Sequence, residues 1–137
     1  MALILDSGVL YALLDRRDAS HLACRELVEA TEERLIIPSP TLPEVDYFIH
    51  TRLNPTVRLN LLEDIQSGFF SVADLHDEDY QRVHELCATY TAADIGFVDA
   101  AVLAIVERLG ERKLATLDRG HFSMLRPPHV RYLTLLP

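Results

Sequence analysis

Short, mostly apolar runs punctuate this chain, and they constrain the fold more than any other feature. They are Leu3-Ile4-Leu5, Leu35-Ile36-Ile37, residues 69–73, Leu114-Ala115-Thr116-Leu117 and residues 130–136. Each is too brief for a helix. The clearest of them do not alternate apolar with polar, as a half-exposed strand would. They read as strands buried on both faces. The longer segments between them carry helical spacing. Strands of this kind alternating with helices predict an α/β fold whose parallel sheet is covered on both sides. In such folds ligands bind at the carboxyl ends of the strands.

The first helix is expected from Ser7, as its cap, to Leu14. Asp18 or Ser20 starts a second, in which Leu22, Leu27 and Val28 recur at helical spacing. A helix from about Thr41 sets Leu42, Val45, Phe48, Ile49 and Leu53 along one face until Asn54-Pro55 breaks it. Another spans 56–66 and ends near Gly68. Residues 77–90 read as a helix with Tyr80, Val83, Leu86 and Cys87 inward, and 91–96 as a loop. Residues 98–109 form a strongly apolar helix that Gly110 stops.

The 137 residues amount to one domain, 1–137. Its apolar runs fall far short of the ~18 residues of a membrane span. Met1 to Asp6 lacks a basic n-region and reads as a first strand, not a signal peptide. Cys24 and Cys87 form no CxxC and have no histidine at zinc spacing, so buried thiols and a cytoplasmic location are expected. The net charge of −8 argues against a nucleic-acid partner. Carboxylates that hold divalent cations escape that objection locally, because the bound ion reverses the field a substrate meets.

Such carboxylates exist. Asp6 follows the first strand and Asp118 the fourth; Glu44 lies in the first turn after the second strand, and Asp99 opens the apolar helix that feeds the fourth. Each has an ordinary explanation. Asp6 and Asp99 could cap helices, Thr41-Leu42-Pro43-Glu44 fits a capping box, and Asp118 could be a turn residue. Their common placement at one sheet edge is the stronger observation. Four carboxylates gathered there repel one another, and Mg²⁺ or Mn²⁺, which prefer oxygen ligands, resolve the conflict.

Leu5-Asp6-Ser7-Gly8-Val9-Leu10, Pro40-Thr41-Leu42-Pro43-Glu44, Val98-Asp99-Ala100-Ala101 and Ala115-Thr116-Leu117-Asp118-Arg119-Gly120-His121-Phe122 resemble the successive motifs of the PIN domain, as found in VapC-type toxins. The resemblance runs from Leu3 to about Arg126, and it lies in the order and spacing of the motifs. It implies a three-layer α/β/α fold around a mostly parallel sheet. It further implies a Mg²⁺- or Mn²⁺-dependent endoribonuclease, often a homodimer, inhibited by an antitoxin whose C-terminal segment wraps it. Carried over by motif, Asp6, Glu44, Asp99 and Asp118 are the catalytic acidic residues, with Asp6, Asp99 and Asp118 as metal ligands. Thr116, Ser7 and Asp94 line the site; Ser7 stands where threonine is common, and Asp94 lies outside the motif. An in-line attack by activated water would leave a 5′-phosphate and a 3′-hydroxyl.

Other classes fit less well. A haloacid-dehalogenase-type phosphotransferase needs a second aspartate at the position of Gly8. A response-regulator-type module needs acidic neighbours near Asp6 and a lysine after a late strand, whereas Lys113 precedes its strand. There is no P-loop, no GxGxxG and no paired histidine motif. A PIN-fold RNA-processing nuclease without an antitoxin, or a non-catalytic binding module, stays open. His121 reads as a surface turn residue near Asp118, and Arg16 and Arg17 as a solvated cluster or a phosphate contact. Tyr47 and Phe48 read as packing residues, against a helix or a dimer partner.

Overall fold

The computed structural model describes residues 1–125, 127, 129 and 133–137. Within them, five strands, β1 (Ala2–Leu5), β2 (Arg34–Pro38), β3 (Phe70–Ala73), β4 (Lys113–Ala115) and β5 (Thr134–Leu136), form one sheet in the order β3-β2-β1-β4-β5. All four pairings among the described residues are parallel. Among the described residues, seven α-helices flank the sheet: α1 (Ser7–Leu14), α2 (His21–Ala30), α3 (Thr41–Arg52), α4 (Pro55–Ser67), α5 (Asp77–Thr89), α6 (Phe97–Leu109) and α7 (Arg119–Met124).

The central strand β1 is buried along its whole length and divides its side chains between two cores. Leu3 and Leu5 join Val9, Leu10, Val45, Ile49 and Leu61 beneath α1, α3 and α4. Ala2 and Ile4 join Val83, Leu86, Phe122 and, from α6, Ala100, Ala101, Val102, Leu103, Ala104 and Val106 on the opposite face. This is the expected three-layer α/β/α arrangement, and the two-sided burial explains the unbroken apolar runs. No helix of the described residues is long and apolar enough to cross a membrane.

Local chemistry corrects several expectations. Ser7 is the first residue of α1, and Asp6 is its cap, accepting the Ser7 N–H at 2.8 Å. Thr41 makes no capping box with Glu44, for α3 begins at Thr41 and its hydroxyl donates to the Pro38 carbonyl. Asn54 does more than end α3: it caps α4 by accepting from Thr56 and Val57, and Pro55 occupies the first helical position. Tyr80 is exposed, and Asp79 turns inward instead, neutralised by Arg108 at 2.9 Å and bonded to the His76 N–H. Residues 119–124 form a helix, not a turn. Of the last predicted strand, Thr134–Leu136 is present, and its earlier positions 130–132 lie outside the described residues.

Candidate active site

The chain leaves β1 for β2 and β3 on one side, then crosses back to β4 and β5 on the other. The crevice between the carboxyl ends of β1 and β4 is therefore the topological switch point, where open α/β sheets bind ligands. Leu5 pairs with Ala115, and the Asp6 N–H donates to the Ala115 carbonyl at 2.9 Å. This register sets Asp6 beside Thr116, whose hydroxyl donates to Asp6 Oδ2 at 2.8 Å. Both side chains are buried. Burial pushes the Asp6 carboxyl up from its ordinary 3.8 to about 6. The hydrogen bonds from Thr116 and Ser7 oppose that shift, and the charges of Asp99 and Glu44 add to it.

Glu44 arrives from the first turn of α3 and is exposed. The Ser7 hydroxyl donates to its Oε1, which ties α1 to α3 across the mouth of the crevice. Asp99 arrives from the other helical layer, in the first turn of α6, and is half-buried. Burial raises its pKa, and the negative charges of Asp118 and Glu44 add to the shift, while His121 opposes it. Asp118 caps α7, accepting from the Thr116-anchored turn's end at His121 N, 3.3 Å away. Thr116 also accepts the Asp118 N–H at 3.0 Å, so one threonine hydroxyl organises both aspartates.

The structure thus brings Asp6, Glu44, Asp99 and Asp118 into mutual electrostatic range at one sheet edge, with Ser7 and Thr116 as their hydrogen-bond partners. Every one of the four stands at a helix N-terminus, where the peptide dipoles favour negative charge. Asp6 caps α1 as its ordinary explanation expects, and Asp118, expected as a turn residue, caps α7; both carboxylates also face the crevice. Asp99 is no cap: Gly96 holds that position and Asp99 lies one turn further in.

One residue of the site was undervalued in sequence. His121 Nδ1 lies 3.0 Å from Asp99 Oδ2 and 2.9 Å from Asp118 Oδ2. Burial disfavours its charged form, but the charges of Asp118 and Asp99 outweigh this and raise its pKa. The available signal was its spacing three residues after Asp118, which faces the crevice once α7 forms.

A family model described as the PIN domain matches residues 3–125. The chain belongs to the PIN domain family. It is 28% identical over 135 residues to Ribonuclease VapC26 of Mycobacterium tuberculosis (strain ATCC 25618 / H37Rv), an alignment covering 98% of this chain and 100% of that protein. Its fold is similar to the crystal structure of Mycobacterium tuberculosis VapC20, a Sarcin-Ricin loop cleaving toxin. The TM-score is 0.82 at 19% identity, covering 95% of this chain and 99% of the other. It is also similar to VapBC2 from Rickettsia felis, solved bound to a DNA fragment from their promoter. There the TM-score is 0.70 at 19% identity, covering 98% and 97%.

Two other expectations fall away from the centre of this PIN domain. Asp94 is exposed, in left-handed backbone (φ 55°) at the end of the 3-10 turn Thr91–Ala93, and makes no hydrogen bond to the four carboxylates. Arg16 and Arg17 are exposed beyond the opposite end of α1. They line a groove of about 1040 Å³ with Leu14, Val28, Leu53 and Val57, and that groove includes none of the four carboxylates.

Proposed function

We propose that this PIN domain is a divalent-cation-dependent endoribonuclease, the toxin of a toxin–antitoxin pair, acting in the cytoplasm. The observation that carries the reading is the convergence of Asp6, Glu44, Asp99 and Asp118 at the β1/β4 crevice. The near full-length likeness to a ribonuclease supports it.

The donor set fits Mg²⁺ or Mn²⁺. It is dominated by carboxylate oxygens, and burial and mutual repulsion already disfavour the charged forms of Asp6 and Asp99. Asp6, Asp99 and Asp118 would hold the ion. When bound, it supplies a water of lowered pKa and neutralises charge on the attacked phosphate. Thr116 fixes the Asp6 carboxylate from inside, so its geometry does not relax as substrate arrives. Ser7 holds one oxygen of Glu44 and leaves the other to orient the attacking water and accept its proton. Water attacks phosphorus in line, the bond to the 3′ oxygen breaks, and that oxygen takes a proton from solvent, so the products carry a 5′-phosphate and a 3′-hydroxyl.

An acidic chain can bind RNA in this scheme because the cation reverses the local field. The likeness to a VapBC pair supports an antitoxin partner. The exposed Tyr47 on α3, edge-on to Phe48, is offered as part of a homodimer contact. The test is induced expression in a bacterial host of the wild-type chain and of Asp6→Asn. Growth arrest with cleaved RNA is expected from the wild type alone. Equal arrest by both, or intact RNA in arrested cells, would refute a nuclease at this site.

A further inference from the structure

We infer that His121 Nδ1 is a ligand of the cation site, and that this nitrogen makes the site prefer Mn²⁺ over Mg²⁺. The inference rests on reading the carboxylates as a cation site and deepens that reading. Its ground is the convergence of three side chains from two elements. His121 Nδ1 stands 3.0 Å from Asp99 Oδ2 and 2.9 Å from Asp118 Oδ2, and one ligand atom from each of the three lies within 4.8 Å of the others. An octahedral ion with bonds of about 2.1 Å spaces neighbouring donors about 3.0 Å apart and opposite donors about 4.2 Å apart. The nitrogen and the two oxygens therefore already hold the edges of one coordination shell. The remaining pair, Asp99 and Asp118, lies within 4.8 Å, and Asp118 is only partly buried, which leaves its carboxylate room to adjust.

A hydrogen bond accounts for half of this arrangement. Nδ1 carries at most one proton, and an N–H directs itself well at one acceptor. Here two carboxylates, which only accept when ionised, converge on the same nitrogen. A shared cation satisfies both. Local structure enforces the geometry: α7 separates Asp118 and His121 by three residues, and the His121 backbone N–H binds Asp118 Oδ1 at 3.3 Å. The ring is about one-third exposed, which leaves it free to turn.

The consequence is selectivity. Mg²⁺ favours an all-oxygen shell, whereas imidazole suits first-row transition ions. A site with one nitrogen donor keeps Mn²⁺ and loses part of its hold on Mg²⁺.

The test uses the purified full chain without RNA. Mn²⁺ is titrated by electron paramagnetic resonance, Mg²⁺ by competition, and coordinated nitrogen is read from pulsed spectra of the Mn²⁺-loaded protein. The wild type should show ¹⁴N coupling from an imidazole. His121→Ala should abolish it and weaken Mn²⁺ about tenfold or more while Mg²⁺ changes less than about threefold. His121→Gln, which can still donate to Asp99 but has no imidazole, should behave as the alanine variant does. His84→Ala, an exposed histidine on α5, should leave the coupling intact. Bound Mn²⁺ without nitrogen coupling in the wild type would overturn the inference, as would wild-type selectivity in His121→Gln. If Mn²⁺ does not bind, or binds undiminished in Asp99→Asn, the cation-site reading itself fails, and this inference with it.

Discussion

Asp6→Asn should make the cation-free protein more stable at neutral pH while removing its activity. Burial raises the Asp6 carboxyl from 3.8 to about 6. The folded protein therefore holds the Asp6 proton more tightly than the unfolded chain does. The stability this proton contributes is complete below 3.8, falls as pH rises, and is gone above about 6. Two units at about 1.4 kcal/mol each put the cost of ionised Asp6 near 3 kcal/mol. Asparagine keeps an acceptor for the Ser7 N–H but turns an amide toward the Thr116 hydroxyl, which sacrifices about 1 kcal/mol. The net gain at about pH 7.5 is about 2 kcal/mol, a rise of several degrees in Tm. Near about pH 4 the folded carboxyl is protonated and most of the penalty is relieved, so the gain should vanish or reverse. The assay is urea or thermal unfolding of both proteins in chelator at the two pH values. Saturating Mg²⁺ or Mn²⁺ should then invert the order, since an ion stabilises only the form that binds it. A variant less stable than wild type in chelator at about pH 7.5, or a difference unchanged between the two pH values, would refute the argument that burial strains this carboxylate.

Three further outcomes are expected. In a cleavage assay, Asp99→Ala should abolish activity and Asp94→Ala should reduce it modestly, because Asp99 joins the carboxylates while Asp94 stands exposed at the end of its turn; the reverse ranking would show the site to be misplaced. Asp79→Ala should cost about 3–5 kcal/mol in urea unfolding, since it strands the Arg108 charge and the His76 N–H; a loss under about 1 kcal/mol would show that the pair is solvated. The antitoxin tail should carry an arginine or lysine that reaches Asp6, Glu44 or Asp99 and competes with the cation, because a guanidinium pairs bidentately with carboxylates. Its apolar residues should pack on exposed Leu59 and Leu62 of α4, Val45 and Ile49 being wholly buried. An antitoxin whose basic residue is changed to alanine should inhibit less; full inhibition with normal cation entry would mean a steric mechanism.

The sheet was legible in sequence because a strand buried on both faces leaves no polar positions to disguise it, as Leu3, Ile4 and Leu5 show by serving two cores. The carboxylates were legible for the related reason that each follows a strand or opens a helix at the same edge. Long-range partners were not legible. Thr41 and Glu44 fit a capping box locally, but Ser7, 37 residues away, takes the glutamate. Tyr80 was expected inside on hydrophobicity, but Asp79 turns in because Arg108, 29 residues on, neutralises it. The short helix α7, with Gly120 in its first turn, has no apolar period to announce it, and without it His121 reads as a surface residue.

The most direct test of the central claim is cleavage of RNA by the purified chain with Mg²⁺ or Mn²⁺ and with chelator, followed by analysis of the new ends. The four carboxylates offer no activated water of their own at neutral pH. Cleavage should therefore stop in chelator, return when the ion is restored, and leave 5′-phosphate and 3′-hydroxyl ends. Full activity in chelator, or 2′,3′-cyclic phosphate ends, would contradict the account.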